Sequence, residues 1–323
     1  MTVNTFDKNG IKFTEVINDN GFKVIFSNLG ASIYLVRYGK YVFNRNVRNI
    51  EDFKITNQYY GKTIGRTSNR LKGHKFRIGE KIFDVEPNEG NNILHGGKYG
   101  LSCTYFAVHT TSLLDKTIVS YETTLSNDGY PGELFVRVTY TVSNDDDILI
   151  NYEATSSEDT LCSLTNHAYW TLGSKDISGL KLQISASKYL KTDPNSLLPI
   201  SEEEVTETLD FRKEKIISRD LDSEELHAPR LNGYDHYYYF DKNDDSLKAT
   251  LRNNKFKMEV YTDFPGLQIY THGYDNGKEL FPDSDNLFNS VAIEPSESFM
   301  KLHVLKKDSV YSHYIRYIFV SEK

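Results

Sequence analysis

Apolar and polar residues alternate along much of the chain, which is typical of strands with one buried face. In Glu133–Val142 every second residue from Leu134 onward is apolar, so this segment predicts a strand packed against a core. The same period of two recurs in four further segments, at Ile148, Ile150, Tyr152 and Ala154; at Leu180, Leu182, Ile184 and Ala186; at Phe256, Met258 and Val260; and at Tyr311, His313, Ile315, Tyr317 and Phe319. The pattern predicts many strands and a sheet-based core.

Turn-forming residues separate the predicted strands. Asn, Gly and Asp are concentrated at Asn18–Gly21, Asn88–Asn92, Asn144–Asp147 and Asn253–Asn254. Helical patterns are rare: Ser201–Leu209 and Ser223–His227 predict short helices or turns that face solvent. No linker, repeat or low-complexity tract divides the chain. We therefore expect one all-β domain over residues 1–323, built as a sandwich or barrel.

Composition narrows the range of partners. The 323 residues include 23 Tyr, which suit half-buried sheet faces and the walls of clefts. The formal net charge is -7, from 45 acidic and 38 basic residues. That balance argues against a nucleic acid or an anionic membrane as partner.

The cysteines and the N-terminus indicate a compartment. Cys103 and Cys162 form no metal-type or CxxC spacing, so we predict two buried structural thiols in a reducing environment. The first residues, MTVNTFDKNG, show no signal pattern, and no apolar run reaches the length of a membrane span. The prediction is a cytoplasmic protein without a membrane partner.

Five polar clusters interrupt the strand pattern. They are Gly65–Lys72, Asn91–Gly97, Leu164–Gly173, Gly233–Phe240 and Val291–Pro295. Taken singly, each has a structural interpretation: the glycines after His95 suit a tight turn, and Arg70 suits a surface ion pair. Together they place two histidines, two carboxylates and an arginine among aromatic residues at strand ends, where clefts form. Such a cleft suits a polyol, because rings stack on sugar faces and polar groups bind hydroxyls.

The clusters and their order resemble the aldose 1-epimerase (galactose mutarotase) family. The matching motifs are GRTSNRLK, NNILHGG, DGYPGEL, LTNHAYWTLG, GYDHYYYF, PGLQIYT and AIEP, which run from Gly65 to Pro295. The resemblance implies the large antiparallel β-supersandwich of that family. The chain departs from the family at Trp170–Thr171 and after Pro295, which leaves the acid and the base in place and the sugar preference open.

The resemblance also implies roles for individual residues. Glu294 matches the catalytic base, His167 matches the catalytic acid, and His95 matches the residue that holds the ring oxygen and the anomeric hydroxyl. The substrate-binding residues implied are Arg70, Asp235, Asn69 and Asn166.

The implied reaction needs only proton transfers. The anomeric hydroxyl loses a proton while the ring oxygen gains one, the ring opens, and closure occurs on the other face. A carboxylate and an imidazolium suit these two transfers, so no cofactor and no metal is expected. We expect a nearby carboxylate to keep His167 protonated near neutral pH and activity to follow a bell-shaped pH profile. The partner expected is a small monosaccharide such as galactose or glucose.

Three alternatives stay open. A hexose-6-phosphate epimerase of the same fold would require a cationic cluster at the far end of the cleft. A non-catalytic sugar-binding module would keep the aromatic residues without needing both His167 and Glu294. A zinc hydrolase would use His95, His167 and Asp235, although the sequence lacks a short-spaced pair of ligands. The sequence does not indicate an oligomeric state.

Overall fold

The computed structural model describes residues 1–47, 49–273 and 287–322. The strands before residue 130 are β1 (Thr2–Lys8), β2 (Ile11–Ile17), β3 (Phe22–Ser27), β4 (Ser32–Tyr38), β5 (Tyr41–Val42), β6 (Asn44–Arg45), β7 (Thr63–Ile64), β8 (Arg70–Leu71), β9 (Lys75–Ile78), β10 (Lys81–Asp84), β11 (Ile93–Leu94), β12 (Ala107–Ser112) and β13 (Lys116–Leu125). The middle of the chain forms β14 (Leu134–Ser143), β15 (Asp147–Ser156), β16 (Thr160–Leu161), β17 (Thr165–Asn166), β18 (Tyr169–Trp170), β19 (Lys181–Ile184), β20 (Lys188–Thr192) and β21 (Pro199–Glu204). The remaining strands are β22 (Lys215–Ile216), β23 (His227–Ala228), β24 (Leu231–Asn232), β25 (Asp235–Tyr239), β26 (Ala249–Arg252), β27 (Phe256–Thr262), β28 (Gly266–Tyr270), β29 (Val291–Ser296), β30 (Val304–Leu305) and β31 (Tyr311–Ser321).

Helices are few and short among these residues. They are α1 (Ile50–Ile55) and four 3-10 helices at Leu101–Cys103, Ile177–Gly179, Ile217–Asp220 and Glu224–Leu226. No helix in the described ranges is both long and apolar enough to cross a membrane.

Three antiparallel sheets carry most of the strands. The largest has nine strands in the order β12-β13-β14-β15-β31-β27-β26-β19-β22, and the second has seven in the order β21-β20-β25-β28-β29-β18-β6. Strands β1 to β5 form the third sheet in chain order. One hydrophobic core joins all three, since it contains Phe26 of β3, Tyr140 of β14 and Leu267 of β28. The all-β antiparallel fold expected from the alternation is confirmed.

The long strands follow the predicted alternation. In β14 the apolar series from Leu134 to Val142 is fully buried, whereas the residues between are partly exposed. The apolar positions of β15 and β27 are buried in the same way. The burial of every second side chain explains why the sequence pattern locates these strands well.

One predicted helix is a strand. Within Ser201–Leu209 the chain forms the end of β21 and then a turn, so the helical alternative is wrong there. The reason is pairing with β20, where Lys188 and Lys191 form ion pairs with Glu202 and Glu203 across the two strands. In Ser223–His227 the predicted short helix is present as the 3-10 helix at Glu224–Leu226.

The two cysteines differ in exposure. Both thiols are free; Cys162 is buried as predicted, but Cys103 is exposed. The prediction that Cys103 is buried is therefore wrong. Cys103 ends a 3-10 helix on the wall of the large cleft described below, where its side chain reaches solvent.

Arg66, from the first polar cluster, is a buried structural residue. Its guanidinium forms a bidentate pair with Asp128 at 2.8 and 2.9 Å. It also donates to the Thr160 hydroxyl and to the carbonyls of Leu125, Pro131 and Gly132. The side chain is fully buried, so these partners replace the hydrogen bonds that the guanidinium would otherwise make to water. Arg66 thereby ties the DGYPGEL motif to the core.

We expect Arg66→Ala to lower the free energy of unfolding by about 3–5 kcal/mol, because it leaves the buried Asp128 carboxylate without its cation. Urea unfolding followed by circular dichroism measures the change. The control is Arg212→Ala, whose exposed pair with Asp210 should contribute little to stability. Equal losses in the two variants would contradict the structural role of Arg66.

Candidate active site

Six of the seven predicted site residues line one cleft. The cleft has a volume of about 610 Å³ and lies where the seven-stranded sheet meets the loops around β8, β11 and β17. The six residues are Asn69, Arg70, His95, His167, Asp235 and Glu294. Groups that are up to 225 positions apart in sequence, from Asn69 to Glu294, are thus brought to one surface by antiparallel pairing.

The floor of the cleft is formed by neighbouring strands. Gln268 of β28 and Glu294 of β29 are directly paired across the two strands, so their side chains lie on one face. Asp235 begins β25, on the other side of β28. The Gln268 amide donates to the Asp235 carboxylate at 2.6 Å. Sheet register therefore fixes the spacing of the two carboxylates.

His167 stands over this floor. It lies between β17 and β18, and its backbone is held by two hydrogen bonds to the segment Gly61–Lys62. Its Nε2 lies 3.4 Å from Oε1 of Glu294. The second carboxylate oxygen of Glu294, Oε2, is buried and has no hydrogen-bond partner among the described residues. A buried oxygen in this state is placed to accept from a bound hydroxyl.

His95 is held by a strained loop. Asn69 and His95 both adopt the left-handed region, with φ of 55° and 51°. The Asn69 amide donates to Nδ1 of His95 at 3.3 Å, and the His95 amide donates to the carbonyl of Asn69 at 3.1 Å. The next residue has to be glycine, because a Cβ on Gly96 would lie 2.0 Å from the carbonyl oxygen of Gly65. The HGG motif therefore fixes the position of the His95 ring.

This loop also sets the tautomer of His95. Since Nδ1 accepts a hydrogen bond from Asn69, the proton of the neutral imidazole is on Nε2. Burial, the neighbouring His167 and Arg70 together lower the pKa of His95 well below its ordinary value. His95 is therefore a neutral ring that donates through Nε2.

The histidines and Glu294 form the tightest cluster of potential metal ligands in the described chain. One ligand atom from each of His95, His167 and Glu294 lies within 4.8 Å of the others. The zinc set of the alternative hypothesis, His95, His167 and Asp235, is not assembled, because Asp235 is outside this group and bonds to Gln268. His95 would have to give up its Nε2 proton to bind a metal. With its proton on Nε2, His95 suits a hydrogen-bonding site.

Burial controls the protonation of the central pair. It lowers the pKa of the His167 imidazole to about 3. Burial, with a contribution from the Asp235 carboxylate, raises the pKa of Glu294 well above its ordinary value. The expectation that a carboxylate keeps His167 protonated near neutral pH is therefore wrong for the free protein, because loss of solvent disfavours both charged forms. Loss of solvent therefore favours the neutral pair, with the proton on Glu294, over the ion pair.

This protonation state can be measured directly. We expect the ¹⁵N chemical shifts of His167 to report a neutral imidazole between about pH 5 and 8. The partly exposed ring of His74, which pairs with Asp84, provides an internal comparison in the same spectrum. A charged His167 ring at pH 7 would contradict the assignment of the proton to Glu294.

A second set of charged groups forms one wall of the cleft. Arg70 donates to the Glu89 carboxylate from Nε at 3.0 Å and from Nη2 at 3.1 Å. Arg230 donates to the same carboxylate at 2.6 Å. Arg70 also lies 3.7 Å from Asp235. Sequence reasoning did not identify Glu89 or Arg230, which lie in loops without a distinctive motif.

Tyrosines surround the histidines. The ring of Tyr59 lies 4.8 Å from His95, and that of Tyr169 lies 4.9 Å from His167, centroid to centroid. Tyr270 lines the same cleft. Trp170, beside Tyr169 in sequence, points instead into the core against Tyr317.

Asn166 is the predicted substrate-binding residue that the cleft does not contain. Its side chain is fully buried and donates to the carbonyl of Gly61 at 2.8 Å. It therefore anchors the loop that carries His167. The structure thus places Asn166 behind the cleft, and its direct contact with a sugar stays a prediction.

The fold and the cleft define a large antiparallel β-sheet protein with a buried cleft in which two histidines lie beside a carboxylate. Comparison with known proteins agrees: the family model of aldose 1-epimerase matches residues 13–318. An aldose 1-epimerase from Haemophilus influenzae is 27% identical over 309 residues, which cover 86% of this chain and 84% of the relative. A galactose mutarotase from Mus musculus is 31% identical over 235 residues, which cover 71% of this chain and 66% of the relative. The chain belongs to the aldose 1-epimerase family, whose named members are isomerases.

A solved structure shows the same fold. The crystal structure of a galactose 1-epimerase from Lactobacillus acidophilus superimposes with a TM-score of 0.90. It shares 24% sequence identity, and the match covers 100% of this chain and 99% of that chain. The predicted galactose mutarotase-like fold is confirmed.

Proposed function

We propose that this chain interconverts the α and β anomers of a free hexose such as galactose or glucose. The observation that carries the proposal is the meeting of Glu294 and His167 at 3.4 Å, with His95 beside them, at the bottom of a buried cleft. Two proton-transfer groups and a fixed donor suit a reaction that moves protons between two neighbouring oxygens.

The walls of the cleft support a sugar as ligand. Gln268 Oε1, Asn69 Nδ2 and Glu294 Oε2 are buried polar atoms with no hydrogen-bond partner among the described residues. Each suits a hydroxyl group. Asp235 and Arg70 add a carboxylate and a guanidinium on the same wall, and the tyrosine rings offer apolar faces. A ring that carries several hydroxyls uses all of these groups.

The reaction follows from this arrangement. Glu294 takes the proton of the anomeric hydroxyl, and His167 gives a proton to the ring oxygen. The bond between the anomeric carbon and the ring oxygen breaks, and the open-chain aldehyde forms. Rotation about the bond to the carbonyl carbon exposes its other face, and ring closure reverses both proton transfers. His95 donates from Nε2 to the oxygen on which negative charge develops.

One proton on the pair is enough for this cycle. In the free cleft that proton is on Glu294. A bound hydroxyl that donates to Glu294 stabilises the carboxylate, and the 3.4 Å separation lets the proton pass to His167. The active pair is therefore singly protonated. Activity falls in acid when the pair takes up a second proton, on His167, and it falls in alkali when the pair loses its only proton. Both limbs of the pH–activity profile therefore report the pair and not either residue alone.

The charges of the cleft favour a free sugar over a sugar phosphate. Each of the five cationic side chains on the described part of the wall has a partner. Lys54 pairs with Glu51 and Lys98 with Glu86, Arg70 and Arg230 share Glu89, and Lys62 donates to the carbonyl of Phe53. Burial also lowers the pKa of Lys62 to about 8. A phosphate would have to displace these partners.

Polarimetry tests the proposal. Freshly dissolved α-galactose or α-glucose should reach its equilibrium rotation faster with the protein than without it, in proportion to protein concentration. Prior dialysis against a chelator should leave this rate unchanged, since Glu294 and His167 supply the proton transfers. Unchanged rotation kinetics with both sugars would favour a non-catalytic sugar-binding module, and a loss of rate restored by zinc would favour a metal site.

A further inference from the structure

The carboxylate of Glu89 lies between two arginines of the cleft. It accepts hydrogen bonds from Nε and Nη2 of Arg70 and from Nη2 of Arg230. The side chains of Arg70 and Glu89 are 12% and 15% exposed, and that of Arg230 is 38% exposed. Glu89 therefore joins an inner arginine, next to the sugar-binding wall, to an outer arginine at the rim.

The backbone holds Glu89 in this place. Its amide donates to the carbonyl of Asn92 at 3.2 Å, and the amide of Asn92 donates to the carbonyl of Glu89 at 2.9 Å. Asn88 fixes the same turn through both atoms of its side-chain amide, which bond to the backbone of Leu94. The turn leads directly into β11 and His95. Glu89 is thus a fixed group and not a mobile surface acid.

The charge of Glu89 affects which ligands the cleft can bind. Arg70 and Arg230 carry two positive charges, and Glu89 and Asp235 carry two negative charges, so the four groups sum to zero. Without Glu89 the wall would be positive and its two guanidinium forks would be open to an anion. With Glu89, an anionic ligand meets a carboxylate at the point where the arginines would otherwise bind it.

We propose that Glu89 is a specificity-determining and positioning residue, which orients Arg70 toward sugar hydroxyls and discriminates against anionic aldoses such as sugar phosphates and uronic acids. This inference rests on the proposed function. In this proposal the Glu89 carboxylate repels an anionic sugar, and this repulsion adds to the selectivity that the contacts with a neutral sugar provide.

The test compares the binding of a neutral and an anionic sugar. Titration calorimetry gives the Kd of glucose and of glucose 6-phosphate for the wild type, Glu89→Gln and Glu122→Gln. Glu122 is the matched control, because it pairs with Arg137 at 2.7 Å and neither residue lines the cleft. We expect Glu89→Gln to lower the ratio of the Kd for glucose 6-phosphate to the Kd for glucose by about tenfold. The gain should shrink as salt is raised, and Glu122→Gln should keep the wild-type ratio.

Equal ratios in the wild type and Glu89→Gln, or equal changes in Glu89→Gln and Glu122→Gln, would overturn the role of Glu89. Arg230→Gln, at the exposed rim, keeps the test decisive if Glu89→Gln does not fold. It should raise the Kd of glucose 6-phosphate more than that of glucose, and an unchanged ratio would count against the proposal. Because binding is measured without turnover, failure here is distinct from an absence of mutarotation in the wild type.

Discussion

Glu294→Gln is expected to lower kcat for mutarotation by about 10²–10⁴-fold, the usual cost of losing a general base. The amide keeps the size of the side chain and can still bond to a sugar hydroxyl, but it cannot accept the proton. Sugar affinity should therefore change little. Initial rates by polarimetry give kcat, and calorimetry with the same sugar gives the Kd.

Glu297→Gln provides the control for this variant. Glu297 is a buried carboxylate three residues further along, and it accepts from Ser163 and Tyr311 outside the cleft. Its replacement should leave kcat within a few-fold of the wild type. Near-normal turnover in Glu294→Gln, or an equal loss in both variants, would show that Glu294 is not the base.

His167→Asn should depress kcat by a similar factor at every sugar concentration, because it removes the group that gives a proton to the ring oxygen. The asparagine fills part of the same space and retains a donor, so the cleft keeps its shape. The full dependence of rate on sugar concentration separates this effect on kcat from an effect on KM.

His95→Asn should behave differently. In the proposed mechanism His95 donates from a fixed Nε2 to the reacting oxygens, so we expect kcat to fall by about 10²-fold and KM to rise as well. The comparison of the two variants is the informative result. Equal losses confined to binding in both would point to a sugar-binding module without catalysis.

The sequence predicted the regular part of the fold because sheet burial has a period of two. Strands such as β14 show that period over ten residues, and the structure follows it residue by residue. The errors lie where neighbouring elements decide the outcome. Ser201–Leu209 was ambiguous because its acidic residues suit a helix as well as an edge strand, and pairing with β20 selected the strand. The six-residue helix α1 was too short to leave a clear periodic signal.

The sequence predicted those site residues that lie in recognisable motifs. His95, His167 and Glu294 meet as expected, since each is fixed by its local turn or strand. Glu89 and Arg230 were missed because their role comes from contact with Arg70 in the folded chain. Gln268 was part of a quoted motif, and only sheet register reveals that it faces Glu294. Contacts between distant segments carry information that one sequence does not show.

Protonation is the clearest example of this limit. The pairing of His167 with a carboxylate suggests a charged imidazole, because opposite charges favour each other. The structure shows that both groups are buried, and loss of solvent then outweighs the attraction. Burial depends on the whole fold, so the pKa directions of His167 and Glu294 become visible only in three dimensions.

The central claim is that the Glu294–His167 pair exchanges the anomers of a free sugar, and exchange spectroscopy at equilibrium tests it most directly. A proton NMR spectrum of galactose or glucose resolves the two anomeric protons, and magnetisation moves between them only if the ring opens and closes. We predict exchange cross-peaks with the wild-type protein and their loss with Glu294→Gln under conditions where both proteins bind the sugar. Cross-peaks of equal intensity with the two proteins, or none with the wild type for either sugar, would contradict the account.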